Sequence, residues 1–301
     1  MAVKIPLWKK IVKFLLVIVV LVLVAATALV WFSGAWNIIF PSSEHDTKAP
    51  WIPADLASPA VLVFSKTNSF RHIDGIEGGN RALGEIADLK GWGLFASENG
   101  AVFNEQDLKR FDAVVFLNAS GDMLGEDQEQ AFQSWLEAGG GWVGIHAAGD
   151  GSHASWKWYG ENLIGADFTA HILGPQFQRA KVIVESPEHP AASDLPNTWL
   201  HSEEWYSWEK SPRQNGFNIV AILDEESYTP VQKFMGNERD LRMGDHPVVW
   251  TNCVGQGRAV YSALGHTSEA FDTAEHRQLL ANALSWTMGL TEGGCSLPPS
   301  P

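Results

Sequence analysis

Short apolar runs alternate with helical-period segments through the middle of this chain. "AVLVFS" (60–65) reads as a buried strand. Leu83, Ile86, Ala87 and Lys90 then recur at helical spacing across a segment centred on Asn80–Leu89. "GLFAS" predicts a second strand, and "NEQDLKRF" a short helix capped by Asn104. "DAVVFLN" (112–118) is the next apolar run. "EDQEQAFQSWLEAG" places Ala131, Phe132, Trp135 and Leu136 on one helical face, with Gly139 closing its C-terminus, and "GWVGIH" follows. This alternation predicts βαβ units and a parallel sheet. Beyond Pro175 the texture turns β-rich: "AKVIVES", "NIVAILDE", and "PVVWTNC" and "RAVYSAL" joined as a hairpin by "VGQG". A final helix, "HRQLLANALSWT", aligns His276, Leu279, Leu280, Ala283 and Leu284 for packing on the sheet.

The N-terminus breaks this pattern. Residues 1–13 carry Lys4, Lys9, Lys10 and Lys13 with no acidic partner, and residues 14–32 carry no charge at all. Such a run matches the ~30 Å hydrocarbon core of a bilayer. Lysines ahead of it predict a cytoplasmic N-terminus and a translocated domain, in the periplasm or outside the cell. A cleaved signal peptide is the rival, since "VAATA" offers small residues; the apolar run continues past it through Phe32, which favours an uncleaved anchor. Residues 33–58 read as a linker or loosely packed lead-in, residues 59–290 as one domain, and residues 291–301 as a disordered tail.

Composition adds exclusions. The chain has 301 residues, 45% hydrophobic, with a formal charge of −14. Four of its 21 Lys+Arg precede the apolar run, so the domain itself is strongly acidic and repels nucleic acid and anionic lipid surfaces. Cys253 and Cys295 are the only cysteines. An oxidising compartment permits a bridge, but two unpaired thiols, one in a loose tail, are the expectation.

Ligands of open parallel sheets bind beyond the carboxyl ends of the strands. At those ends lie Arg71 and His72, then Asn118, then His146 with Asp150, then His266 with Thr267. Three are histidines from different strands, a convergence expected of a site. Several members have plainer readings: Arg71 as a salt-bridge partner, Asn118 as a turn residue, Asp150 as a helix cap. His171 and His246 fit ligands or loop histidines equally. In "HSEEWYSWEK", strand alternation would put Glu203, Trp205 and Ser207 on one face and Glu204, Tyr206 and Trp208 on the other. A carboxylate beside aromatics suits acid–base work, and aromatic faces stack on sugar rings.

The ordered set "SFRH", "FDAVVFLNASGD", "AFQSWLEAGGGWVGIHAAGD", "WYG", "EEWY", "DHPVVW" and "ALGHTSEAF" resembles the trehalose-utilisation (ThuA-like) family. That resemblance implies an α/β, flavodoxin-like sheet flanked by helices, similar to class I glutamine amidotransferases, with β-rich additions in the C-terminal half. Where the amidotransferases carry a nucleophilic Cys at a tight elbow, this chain carries His146, and neither cysteine lies near it, which excludes a thiol-based glutaminase. Glu203 stands where the family usually has Asp.

The resemblance implies a small sugar as substrate, either a disaccharide or its keto derivative. Acid–base chemistry by His146 and Glu204 is the expectation, with Arg71, His72, Asn118, Asp150, His171, Trp205, His246, His266 and Thr267 binding the sugar. The sequence requires no cofactor. One alternative is a divalent metal such as zinc held by the histidines, although no local ligand spacing marks it. Another is a non-catalytic sugar-binding domain. Hydrolysis by paired carboxylates ranks lower, because Glu204 is the one plausible acid.

Overall fold

The structure, a computed structural model, describes residues 6–234 and 236–295. It opens with a 26-residue helix, α1 (Leu7–Phe32), whose most apolar 18-residue stretch has a mean hydropathy of 3.1 and whose side chains make no core. After a short α2 (Trp36–Ile39) comes the alternating part: β1 (Ala60–Phe64), α3 (Ile73–Lys90), β2 (Gly93–Ser97), α4 (Glu105–Leu108), β3 (Ala113–Leu117), α5 (Glu126–Glu137) and β4 (Gly141–Ile145). The β-rich part follows: α6 (Lys157–Tyr159), β5 (Phe168–His171), β6 (Gln178–Val184), β7 (Thr198–Glu203), β8 (Tyr206–Trp208) and β9 (Asn218–Leu223). It closes with β10 (Val231–Phe234), β11 (Asn237–Asp240), β12 (Pro247–Val254), β13 (Gly257–Ser262) and α7 (Ala274–Thr287).

Nine strands form one sheet in the order β2-β1-β3-β4-β13-β12-β9-β6-β7. The first five are mutually parallel, and each later strand is antiparallel to its neighbour. The expected α/β sheet with β-rich additions is therefore observed, with the β12–β13 hairpin at the junction. The parallel centre is covered on both faces, which explains its unbroken apolar runs. Leu117 of β3 packs on Gly79 of α3, while its neighbour Phe116 stacks on Phe132 of α5 at 5.3 Å.

Helix α3 begins at Ile73, earlier than the apolar periodicity suggests. Its first turns use Gly75, Gly78 and Gly79, which carry no hydrophobic signal yet are buried. A Cβ on Gly75 would lie 2.5 Å from the His266 carbonyl oxygen, so the glycine allows this helix to press against the loop after β13.

The Glu203–Glu204 segment also departs from expectation. β7 stops at Glu203 and β8 begins at Tyr206 in a separate two-stranded sheet with β5, so simple alternation does not apply, and both carboxylates are buried.

The expectation of two unpaired thiols is corrected: Cys253 and Cys295 form a disulfide with Cα atoms 6.0 Å apart. The Thr291 carbonyl accepts from Arg258 Nη1 and the Gly293 carbonyl from Trp286 Nε1. These bonds fold residues 291–295 back onto β12, and residues 296–301 of the expected tail lie outside the described residues. The lead-in is likewise held more firmly than its composition suggests. Asp46 pairs with Lys66 at 2.6 Å and accepts from the Gly100 N–H, and Asn99 Nδ2 donates to the Lys48 carbonyl.

Candidate functional site

Strands β1, β3, β4 and β13 are parallel, so the loops after them emerge at one end of the sheet. Strand β7 reaches the same end, because three antiparallel steps separate its neighbour β6 from β13 and a fourth restores the direction. His72, Asn118, His146, His266 and the Glu203–Glu204 pair thus converge from distant parts of the sequence.

His146 sits immediately after β4 with φ +48°, a left-handed conformation uncommon for a residue with a Cβ. Three bonds hold it there. Its Nδ1 donates to the Ala263 carbonyl at 2.8 Å, the Tyr261 hydroxyl donates to its carbonyl at 2.7 Å, and the Ala147 N–H donates to Asn118 Oδ1 at 3.2 Å. Asn118, itself at φ +50°, also donates from Nδ2 to the Gly265 carbonyl at 3.0 Å. Asn118 therefore braces two loops.

With Nδ1 committed to a carbonyl, His146 Nε2 points into the cluster. It lies 3.0 Å from His266 Nδ1 and 3.5 Å from Glu204 Oε2. The same Glu204 oxygen is 3.0 Å from His266 Nδ1. Glu204 Oε1 is 2.9 Å from His171 Nδ1 and accepts from Gln176 Nε2 at 2.6 Å. The His72 ring stands edge-on to His146 and His266, with centroids 4.9 and 4.6 Å away, and its Nδ1 has no partner among the described residues. One ligand atom each from His72, His146, Glu204 and His266 falls within a 4.8 Å span.

Burial disfavours charge on Glu204, but the His146, His171 and His266 hydrogen bonds dominate and hold its carboxyl well below the usual range. Burial likewise opposes charge on His146, yet the Glu204 bond and the charges of Glu203 and Glu204 raise its pKa. His171 is raised against burial by Glu204. His72 is lowered well below 6.5 by burial and by the neighbouring His146 and His266. The cluster thus combines one ionised carboxylate, two imidazoles that favour protonation and one that resists it.

Above the cluster lies a cleft of about 460 Å³, lined by His72, Asp150, His171, Glu204, Tyr206 and His266 among others. His146 is wholly buried beneath it, its ring tilted 34° to that of Tyr206 with centroids 4.2 Å apart.

Other expected sugar contacts lie elsewhere. Arg71 pairs with Glu98 at 2.6 Å, and with Thr267 it borders a smaller adjoining hollow. Asp150 is in the cleft but accepts from the Ser152 N–H at 2.8 Å rather than bonding His146. Trp205 is buried and donates from Nε1 to the Gln178 carbonyl, so its face is not offered to a ligand. His246 is buried between Glu225, at 2.8 Å, and the Tyr206 carbonyl, where it props the segment behind the cleft. Glu203 is the residue that sequence reasoning undervalued. Its carboxylate accepts N–H bonds from Gly265 at 2.6 Å, His266 at 3.2 Å and Glu204 at 2.9 Å. Against burial, the His201 ring 3.6 Å away, the charge of His146 and the Gly265 N–H lower its pKa to about 2. The acidic doublet was the available signal, but backbone binding has no sequence signature. Gln176 has none either.

The fold and the polar strand ends define a flavodoxin-like α/β protein with a histidine–carboxylate centre at the carboxyl edge of its sheet. This chain belongs to the ThuA family, described as trehalose utilisation, whose model matches residues 60–287. A ThuA-like protein from Bacteroides uniformis is 26% identical, with a TM-score of 0.66, covering 80% of this chain and 95% of that one. A ThuA-like protein from Parabacteroides merdae is 18% identical with a TM-score of 0.59, covering 79% and 94%. A cytoplasmic protein of Salmonella typhimurium LT2 is 10% identical with a TM-score of 0.51, covering 76% and 99%. The latter two share the fold alone. No curated protein matches this chain.

Proposed function

We propose that this protein processes a disaccharide or keto-glycoside in the cleft above Glu204, moving protons through Glu204 and His146. The observation that carries this reading is an ionised, buried carboxylate contacted by three imidazoles at the floor of a cleft, in a family described by trehalose utilisation. A keto group acidifies the neighbouring C–H bond. That proton passes by way of Glu204 to His266, 3.0 Å away, because the Glu204 carboxyl is itself held too acidic to keep it; the released electron pair expels the glycosidic oxygen, and protonated His171 supplies the proton that oxygen needs. His146, next to Glu204 and His266, holds and exchanges the proton from beneath. His72 and Asp150 face the same cleft as partners for hydroxyls.

The apolar α1 is compatible with a membrane anchor, and we place the domain outside the cytoplasm. Lysines on the N-terminal flank support that orientation, as does a disulfide suited to an oxidising compartment.

The test is turnover of trehalose and 3-ketotrehalose by the full chain. Glu204→Gln and His146→Ala, shown to be folded by circular dichroism, should each lose about 100-fold or more in rate. Unchanged turnover by both would remove the reading. Sugar binding without turnover by the unaltered chain would favour a binding role instead.

A second reading is favoured by one observation: His146 donates through Nδ1 to a carbonyl, the arrangement usual for metal-ligating histidine, and its Nε2 sits among three further donors. His72, His146, His266 and Glu204 fit a divalent ion such as zinc. Bound there, the ion would supply Lewis acidity, and it would replace the proton shared by His146 and Glu204. Elemental analysis of chain purified without chelators separates the two readings.

A further inference from the structure

We propose that the natural substrate is an amphiphile: its saccharide enters the cleft while its apolar portion stays beside α1 and the bilayer. This rests on the membrane-anchored, carbohydrate-processing reading and adds the substrate class.

The chain leaves α1 and turns at once into the site. The Arg71 N–H donates to the Gly34 carbonyl at 3.0 Å, and Asn37 Nδ2 donates to the Thr67 carbonyl at 2.8 Å. Gly34 is at φ +79°, and a Cβ there would lie 2.1 Å from the Arg71 carbonyl oxygen. The membrane exit is therefore docked on the loop between β1 and α3, which delivers His72. No long spacer separates the bilayer from the chemistry.

Three hollows lie in series between the helix and the cluster, each sharing lining residues with the next. One of about 540 Å³ runs along α1, walled by Leu23, Val24, Trp31, Phe32 and Trp36. Phe32 also borders the second, of about 310 Å³, with Phe177, His72 and His266. His72 and His266 in turn border the cleft of about 460 Å³, whose wall includes Ile38 from the juxtamembrane α2. Along this series the lining changes from apolar but for Thr27, through mixed, to one in which histidines, Asp150 and Glu204 stand among a few apolar side chains.

The side chains at the transition match that gradient. Ile38 is 58% exposed and Phe177 is 42% exposed, with the Phe177 ring 4.9 Å from His266. An aromatic ring such as Phe177 can stack on a sugar, but the aliphatic Ile38 beside it offers a saccharide nothing to bond, and the two together extend the apolar surface of α1 to the mouth of the cleft. They suit a ligand that carries an apolar chain, and a bilayer surface would present such a ligand at the height of the cleft.

The test measures binding to the full chain in phospholipid nanodiscs, with empty nanodiscs subtracted. The probes are free trehalose and 6-O-octanoyltrehalose below its micellar concentration. The ester should bind about tenfold or more tightly than the sugar. Ile38→Ser and Phe177→Ser, shown to be folded by circular dichroism, should each reduce that advantage several-fold by weakening the ester more than the free sugar. Equal binding of the two probes would overturn the inference while leaving the carbohydrate reading intact. So would an ester advantage that survives in both variants, since it would reflect partition into lipid only. Binding of neither probe would overturn the carbohydrate reading and this inference together.

Discussion

Glu203 holds His266 by its backbone: the carboxylate accepts the His266 N–H at 3.2 Å and that of the preceding Gly265 at 2.6 Å. The next residue, Glu204, contacts the same histidine through its ring, with Oε2 3.0 Å from Nδ1. Consecutive acids thus have different tasks, one positioning the loop and the other facing the cleft.

Glu203→Gln is expected to cost about 1–3 kcal/mol in stability, because one oxygen becomes a donor facing buried backbone N–H groups. Urea unfolding of the two forms measures it. The same variant should weaken sugar binding, through displacement of His266, and a stability loss without any binding loss would mean that Glu203 does not position the site.

His72→Ala tests the metal reading separately. Removing one of four donors should reduce zinc affinity about tenfold or more, while the fold tolerates loss of a ring whose Nδ1 has no partner. Competition with a chromophoric chelator gives the affinity. Identical zinc retention by the variant would exclude His72 as a ligand.

Stability should fall in acid, in part through His276. Burial and the neighbouring His201 lower its folded pKa from 6.5 to about 4. Between these values the unfolded chain binds a proton that the folded chain refuses. The contribution is therefore fully present above pH 6.5 and diminishes as pH falls toward 4. His276→Gln should flatten that part of the stability profile, as followed by urea midpoints across the range.

The disulfide makes a chemical prediction. Neither thiol should react in the native or unfolded chain until a reductant is added, after which two should titrate. Cys253→Ser should cost about 2–4 kcal/mol by freeing the 42-residue separation in the unfolded state.

If α1 is an anchor rather than a cleaved leader, the mature protein should stay in the membrane fraction after alkaline extraction, with an intact mass that includes Leu7–Phe32. A mass beginning beyond Thr27 would instead identify a signal peptide.

Local pattern was enough to predict most elements. An unbroken apolar run such as Val61–Phe64 has few states open to it other than a buried strand, and Asn104 caps α4 through its own side chain, accepting from Gln106 and Asp107 N–H. The same kind of evidence placed His72, His146 and His266 at strand ends, and because parallel strands share a direction, shared ends imply proximity. The apolar length of α1 needed only counting.

Contacts between residues distant in sequence were decided by the tertiary structure alone. That Glu203 serves the backbone of residues 265–266 while Glu204 meets three imidazoles depends on the break after β7, and alternation could not describe it. That Cys295 reaches Cys253 depends on Arg258 and Trp286 binding the carbonyls of the tail. That Trp205 and His246 turn away from the cleft depends on distant carbonyl and carboxylate partners. Periodicity records which face of an element is apolar, but a hydrogen bond across 60 residues leaves no trace in the order of the residues between.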